Sequence, residues 1–141
     1  MASHCEVLCE TEDLDFARAL GEFAAAEARR IDEKFSRYKP GSVVAGMLEH
    51  RGRPITVDEE TARLLDYGET LWRVSGGRFD LTSGILRHAW QFEEATHAPE
   101  PQRIPELMRH VGWQRLEWRA PRLLLPAGMA HSASIPDRNS R

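Results

Sequence analysis

The chain has little cysteine, no long hydrophobic run and no surplus of positive charge, and each shortage removes a class of function. Its two cysteines, Cys5 and Cys9, lie four apart on a stretch read as a strand, which puts both on one face but about 13 Å apart along it. That is too far for a disulfide within one strand, and no other cysteine is present to complete a zinc set. Both are expected to be small buried or half-buried residues. No apolar stretch approaches the roughly 20 residues that span a bilayer, so no membrane span is expected. The N-terminus lacks the charged, apolar and small-residue succession of a signal peptide, and the chain as written is expected to be cytoplasmic, or periplasmic if a signal precedes it. A formal net charge of -3 gives no long-range attraction for nucleic acid or an anionic membrane.

The usual chemical signatures are missing too. There is no Gly-x-Gly-x-x-Gly, no Gly-x-x-x-x-Gly-Lys-Ser/Thr and no His-Glu-x-x-His, and no serine sits in a nucleophile-elbow context. His4, His50, His97, His110 and His131 show no metal-ligand spacing, so they read as surface or packing residues. No internal repeat is visible.

What is present is the balance of a soluble globular protein: 141 residues, 41% hydrophobic and 29% charged, enough for one domain with a modest core. His4 to Glu10, rich in Val, Leu and Cys, reads as a strand. From Leu14 the residues Leu14, Ala17, Leu20, Ala24, Ala28, Ile31 and Phe35 recur every three or four positions and predict a long amphipathic helix. Thr11 or Asp13 caps its start, and Pro40-Gly41 ends any continuation. Gly41 to Pro54 lacks periodicity and reads as a loop, followed by a short extended piece from Ile55 to Val57. Asp58 opens a second helix that Ser75-Gly76-Gly77 closes, which places Phe79 and Asp80 in a turn just after it.

Beyond that turn, Thr82 to Trp90 is a short helix or an irregular loop, and Pro105 to His110 a helix. Trp113 to Trp118 and Arg122 to Leu125 are β-prone runs around Arg119-Ala120-Pro121, which suits a hairpin. The two tryptophans Trp113 and Trp118 read as packing residues rather than a stacking platform. The tail from residue 131 to 141 has one large apolar residue and is expected to be disordered. The fold class expected is α+β, strands packed with helices.

Several short motifs occur in a definite order: Met1-Ala2-Ser3, Ser36-Arg37-Tyr38-Lys39-Pro40-Gly41-Ser42, Gly77-Arg78-Phe79-Asp80-Leu81-Thr82, Trp90-Gln91-Phe92 and Val111-Gly112-Trp113. In that order they resemble the FAD:protein FMN transferases, the ApbE-type flavin transferases, over residues 1–130. The resemblance implies the N-terminal part of that fold, with FAD as donor substrate, Mg2+ as cofactor and the Thr or Ser hydroxyl of an acceptor flavoprotein as target. It assigns Met1, Tyr38, Arg78, Phe79 and Asp80 to the FAD site; catalytic residues stay unassigned. Tyr38 and Phe79 offer flat faces for a ring, and Asp80 a carboxylate that accepts hydrogen bonds. The alternative reading makes Phe79 a core aromatic and Asp80 a turn-stabilising residue. Arg78, Arg87, His88, Arg51 and Arg53 are candidates for the phosphates, Arg78 alone being matched by the resemblance.

The family's Asp-x-Gly-Gly-Ile-x-Lys segment and its later magnesium ligands have no counterpart after Pro126-Ala127-Gly128-Met129. The chain is therefore expected to be truncated or frameshifted after about residue 130, impaired in the transfer step and open to a complementing C-terminal chain. The alternatives are a catalytically inactive fragment that binds FAD or a partner, and a scaffold that docks a partner through its first helix.

Overall fold

The computed structural model describes residues 6–89 and 102–129. The expectations for Met1, Cys5, Trp90-Gln91-Phe92 and the tail after residue 130 lie outside them. Two compact units divide between Glu49 and His50.

In the first unit, α1 spans Leu14–Phe35, the bounds its apolar stripe predicts. Asp13 caps it by accepting the N–H groups of Asp15 and Phe16, each at 3.0 Å. Thr11 plays a supporting part, its hydroxyl oxygen accepting the Asp13 N–H at 3.1 Å. Asp15 in the first turn and Lys34 in the last match the helix dipole. The stripe is only half covered: Ala17, Leu20, Ala24, Ala28, Ile31 and Phe35 are intermediate in exposure, and no α1 residue is buried.

The segment expected to be a loop from Gly41 contains a second helix, α2, Val43–Glu49, which packs beside α1. Two consecutive valines and Gly46 give it weak intrinsic helix propensity, and packing overrides that weakness. Its start is fixed by Ser42, one of the few buried polar residues, whose Oγ accepts the Ala45 N–H at 3.0 Å and donates to the Ser36 carbonyl.

Residues 6–10 form no strand, contrary to the β-prone composition, and all are exposed, including Cys9, which was expected to be at least half-buried. A strand needs a neighbour for its backbone donors and acceptors, and the sheet formed by the described residues is built from other segments.

The second unit holds that sheet: β1 (Pro54–Thr56), β2 (Glu117–Arg119) and β3 (Arg122–Leu124) in the order β1-β3-β2, antiparallel throughout. Ile55, Leu123 and Trp118 share one cross-strand row, and Leu123 is 1% exposed. This is the inward face. The predicted hairpin is there, but its first run is only half a strand, because Trp113–Arg115 forms a 3-10 turn before β2 begins. Beyond the strands the pairing continues as single bonds, Val57 N–H to the Pro121 carbonyl (2.9 Å) and Gly52 N–H to that of Leu125 (2.8 Å).

Helix α3, Glu59–Val74, begins at Asp58, which accepts the Thr61 N–H and hydroxyl. It ends with the Gly76 N–H bonded to the Arg73 carbonyl (3.2 Å) and the Gly77 N–H to that of Trp72 (2.8 Å), the paired bonds of a Schellman stop. Both glycines have positive φ, +61° and +79°, where a side chain would strain the backbone. The stretch left open between helix and loop is a 3-10 helix, Leu81–His88, and α4, Arg103–Met108, packs beside it, two residues earlier than Pro105 suggests. Among the described residues Val57, Ala62, Ile85, Leu107, Trp113, Leu123, Leu125 and Met129 form the buried apolar set, all in this unit. Helices with a small antiparallel sheet make the fold α+β.

Candidate functional site: the turn after α3 and its clamp

Four of the five sequence-assigned residues are described, and three stand together in the second unit. Arg78, Phe79 and Asp80 occupy the turn between α3 and the 3-10 helix Leu81–His88. Tyr38 belongs to the first unit, 68% exposed, with the Arg37 guanidinium 5.9 Å from its ring centre. Met1 is outside the described residues.

The turn is held from both sides. On the α3 side, Ser75 donates its hydroxyl to the Trp72 carbonyl (3.1 Å) and accepts the Phe79 N–H (2.9 Å). On the other side, Asp80 caps the 3-10 helix. Its Oδ1 accepts both the N–H (2.7 Å) and the hydroxyl (2.6 Å) of Thr82, and its Oδ2 accepts the Trp113 N–H at 2.8 Å. Thr82 Oγ1 in turn accepts the Gly112 N–H at 2.7 Å. Asp80 and Thr82 therefore clamp the Gly112-Trp113 corner to the turn. Trp113 is 5% exposed, so its N–H has little access to water and needs this acceptor.

What the turn presents outward is chemically mixed. Phe79 is 41% exposed and is no core aromatic. Arg78 is exposed, with one long contact to the Ser75 carbonyl at 3.4 Å. Asp80 is half-buried and does act as a turn-stabilising carboxylate. A carboxylate has about four acceptor directions; three are filled, and the remaining one is on Oδ2. An aromatic face, a guanidinium and one open acceptor direction thus stand on consecutive residues whose backbone is tied down.

The other phosphate candidates are spread over the second unit. Arg51 gives its guanidinium to the Met129 carbonyl, Arg53 and Arg87 are exposed, and His88 has a buried Nε2 with no hydrogen-bond partner. His110 lies near the Gly128 carbonyl, its Nδ1 at 3.4 Å. The tryptophan pair packs as expected: Trp113 is in the core and Trp118 is half-buried, its indole N–H donating to Asp66 Oδ1 at 2.7 Å. Among the described residues no three His, Cys, Asp or Glu side chains gather as a metal site, and no helix is long and apolar enough to cross a membrane.

Sequence reasoning missed the parts of the clamp contributed by Thr82, Gly112 and Trp113. All three sit inside quoted motifs, but nothing in the sequence signals that residues some 30 positions apart meet.

The sequence profile of the ApbE family matches residues 1–133. A FAD:protein FMN transferase from Chlamydia pneumoniae is 35% identical over 93 residues, 64% of this chain and 30% of that protein. The crystal structure of the ApbE protein from Thermotoga maritima superposes with a TM-score of 0.70 at 25% identity, over 89% of this chain and 42% of that one. The apo flavinyl transferase ApbE of Pseudomonas stutzeri shares the fold, with a TM-score of 0.62 at 24% identity over 77% of this chain and 38% of that one. The chain thus spans less than half the length of these relatives.

Proposed function

The chain belongs to the ApbE family, and from that membership we propose that it carries the donor side of an FAD:protein FMN transferase. FAD is the substrate, and the acceptor is a protein bearing a target threonine or serine. The observation that carries the reading is the turn after α3. Phe79 is exposed, with its N–H bonded to the Ser75 hydroxyl oxygen, beside Arg78 and an Asp80 carboxylate with one open acceptor direction. An exposed aromatic face suits a flavin or adenine ring. A guanidinium suits the pyrophosphate oxygens with paired hydrogen bonds, and the carboxylate suits a ring N–H or ribose hydroxyl. The family likeness also assigns Tyr38 and Met1 to FAD binding.

In the reaction proposed, the acceptor hydroxyl oxygen bonds to the FMN phosphorus and the pyrophosphate P–O bond breaks. AMP leaves with the electron pair, and the hydroxyl proton passes to a base. The role of the described residues is to bind and orient the donor. Magnesium, which the family likeness implies, finds no donor set among them: no three suitable side chains gather, and Asp80 is largely committed to backbone and hydroxyl donors. No step is routed through the metal.

The second reading is a fragment that holds FAD or a complementing chain without turnover, supported by an Asp80 carboxylate already committed to three protein donors. Titration of FAD with the chain, followed by flavin fluorescence, tests what the two readings share. Quenching that Phe79→Ala weakens is expected, and a titration with no spectral change refutes donor binding. Incubation with FAD, magnesium and a Thr-bearing acceptor protein then separates them: a mass gain of FMN on the acceptor identifies the transferase, and its absence with quenching intact identifies the fragment.

A further inference from the structure

Thr82 stands behind the proposed site, and its hydroxyl is used in both directions. It accepts from the Gly112 N–H at 2.7 Å and donates to Asp80 Oδ1 at 2.6 Å. The direction of donation is unambiguous, because a backbone N–H cannot accept and an ionised carboxylate cannot donate. The order is therefore Gly112 N–H to Thr82 O–H to Asp80 Oδ1. With the Thr82 N–H also on Oδ1, at 2.7 Å, that oxygen is full. The carboxylate is locked in rotation, and Trp113 N–H fixes Oδ2 from one side.

We infer that Thr82 is a positioning residue for the flavin donor. Its hydroxyl fills Asp80 Oδ1, so that Oδ2 alone keeps an acceptor direction for an N–H or O–H of the bound nucleotide. The inference rests on the donor-binding reading above. The chemistry favours a threonine or serine hydroxyl here, because the position must accept and donate at once. A valine of the same shape does neither, leaving the Gly112 N–H without an acceptor and Oδ1 with a single donor. The carboxylate then keeps only the Thr82 N–H on Oδ1 and the Trp113 N–H on Oδ2, so it is held less tightly and Oδ2 is no longer the one oxygen with an open acceptor direction.

The test pairs Thr82→Val with Thr82→Ser in the full chain and reads two quantities. The first is FAD affinity by flavin fluorescence; the second is backbone amide exchange at Gly112 and at Val57, the latter bonded to the Pro121 carbonyl away from the turn. Thr82→Val is expected to weaken FAD binding on the order of tenfold or more, the scale of one charge-assisted hydrogen bond. It should speed exchange at Gly112 and leave Val57 protected. Thr82→Ser is expected to restore both. Faster Gly112 exchange with unchanged FAD affinity overturns the positioning role and leaves donor binding standing. A wild-type chain that binds no FAD refutes the donor-binding reading, and the positioning role falls with it. Should Thr82→Val lose protection at Val57 as well, Thr82→Ala takes its place, and the same two outcomes decide.

Discussion

Replacing Asp80 by asparagine tests whether the carboxylate joins two segments or merely caps one. Asparagine is as good a cap as aspartate, so an amide that keeps its oxygen towards Thr82 preserves the bond to the Thr82 N–H. Its nitrogen then faces the Trp113 N–H, donor against donor, across a distance that is 2.8 Å in the native structure. Trp113 is 5% exposed, and orphaning a buried donor costs about 1 to 3 kcal/mol. Turning the amide over only moves the conflict, because Thr82 presents two donors to Oδ1. Asp80→Ala removes the cap as well, worth about 1 kcal/mol, for a total of roughly 2 to 4 kcal/mol.

The assay is urea unfolding followed by tryptophan fluorescence, with amide exchange at Trp113 as the local probe. Asn is expected to lower the midpoint, Ala to lower it further, and both to release the Trp113 amide. If Asp80→Asn leaves both the midpoint and Trp113 exchange at wild-type values, the clamp is not a stabilising link and the account of the turn fails.

Three further outcomes follow from other parts of the structure. Gly112→Ala forces a side chain onto φ +151°, with a Cβ 3.0 Å from Arg115 Cδ and 3.1 Å from Gln114 Nε2. It is expected to cost about 1 to 3 kcal/mol in urea unfolding, and a variant as stable as wild type would refute the assigned strain. Trp118→Phe removes the 2.7 Å bond to Asp66 while keeping most of the packing. The expected loss is about 1 kcal/mol, absent in an Asp66→Ala background, as a double-mutant cycle would show. The hydrogen bond from Lys39, at 2.7 Å, lowers the pKa of Asp32 below 3.8 and raises that of Lys39 above 10.5. Asp32's contribution is thus present above its unfolded pKa and lost as pH falls through its lowered folded value. That of Lys39 is present below 10.5 and lost as pH rises through its raised folded value. The stability difference between wild type and Asp32→Asn, measured by circular dichroism across pH, should therefore shrink at both extremes. A difference constant with pH would contradict the pairing.

The parts of the fold legible in the sequence are those whose signal is local. α1 could be read because its apolar residues recur at helical spacing and Asp13 stands at its start. α3 could be read because Asp58 and Ser75-Gly76-Gly77 bracket it, and the glycines do occupy the positive-φ positions of a helix stop. α2 was hidden because Val43, Val44 and Gly46 are poor helix formers, and its cap, Ser42, works through a contact with Ser36 as well as with its own helix. Glu6 to Glu10 misled for the opposite reason: β-prone residues describe a willingness to pair, and pairing depends on a partner elsewhere. In the candidate site, the turn was legible and its clamp was not, since Asp80 meets Trp113 across 33 positions.

The structural and functional readings of the turn do not compete residue by residue. Sequence reasoning set a core Phe79 and a structural Asp80 against a flavin-facing pair, but the structure separates the two residues. Asp80 is structural on three of its acceptor directions, while Phe79 is 41% exposed. At 41% exposure Phe79 forgoes only part of the roughly 1.5 to 3 kcal/mol that full burial is worth. Here its backbone N–H is held by Ser75 on one side and its neighbour Asp80 by Trp113 on the other. The bonds Asp80 makes fix the turn on which the proposed site presents the ring. A carboxylate that is mostly structural is therefore what the proposed donor site requires, with one acceptor direction left over to touch the ligand.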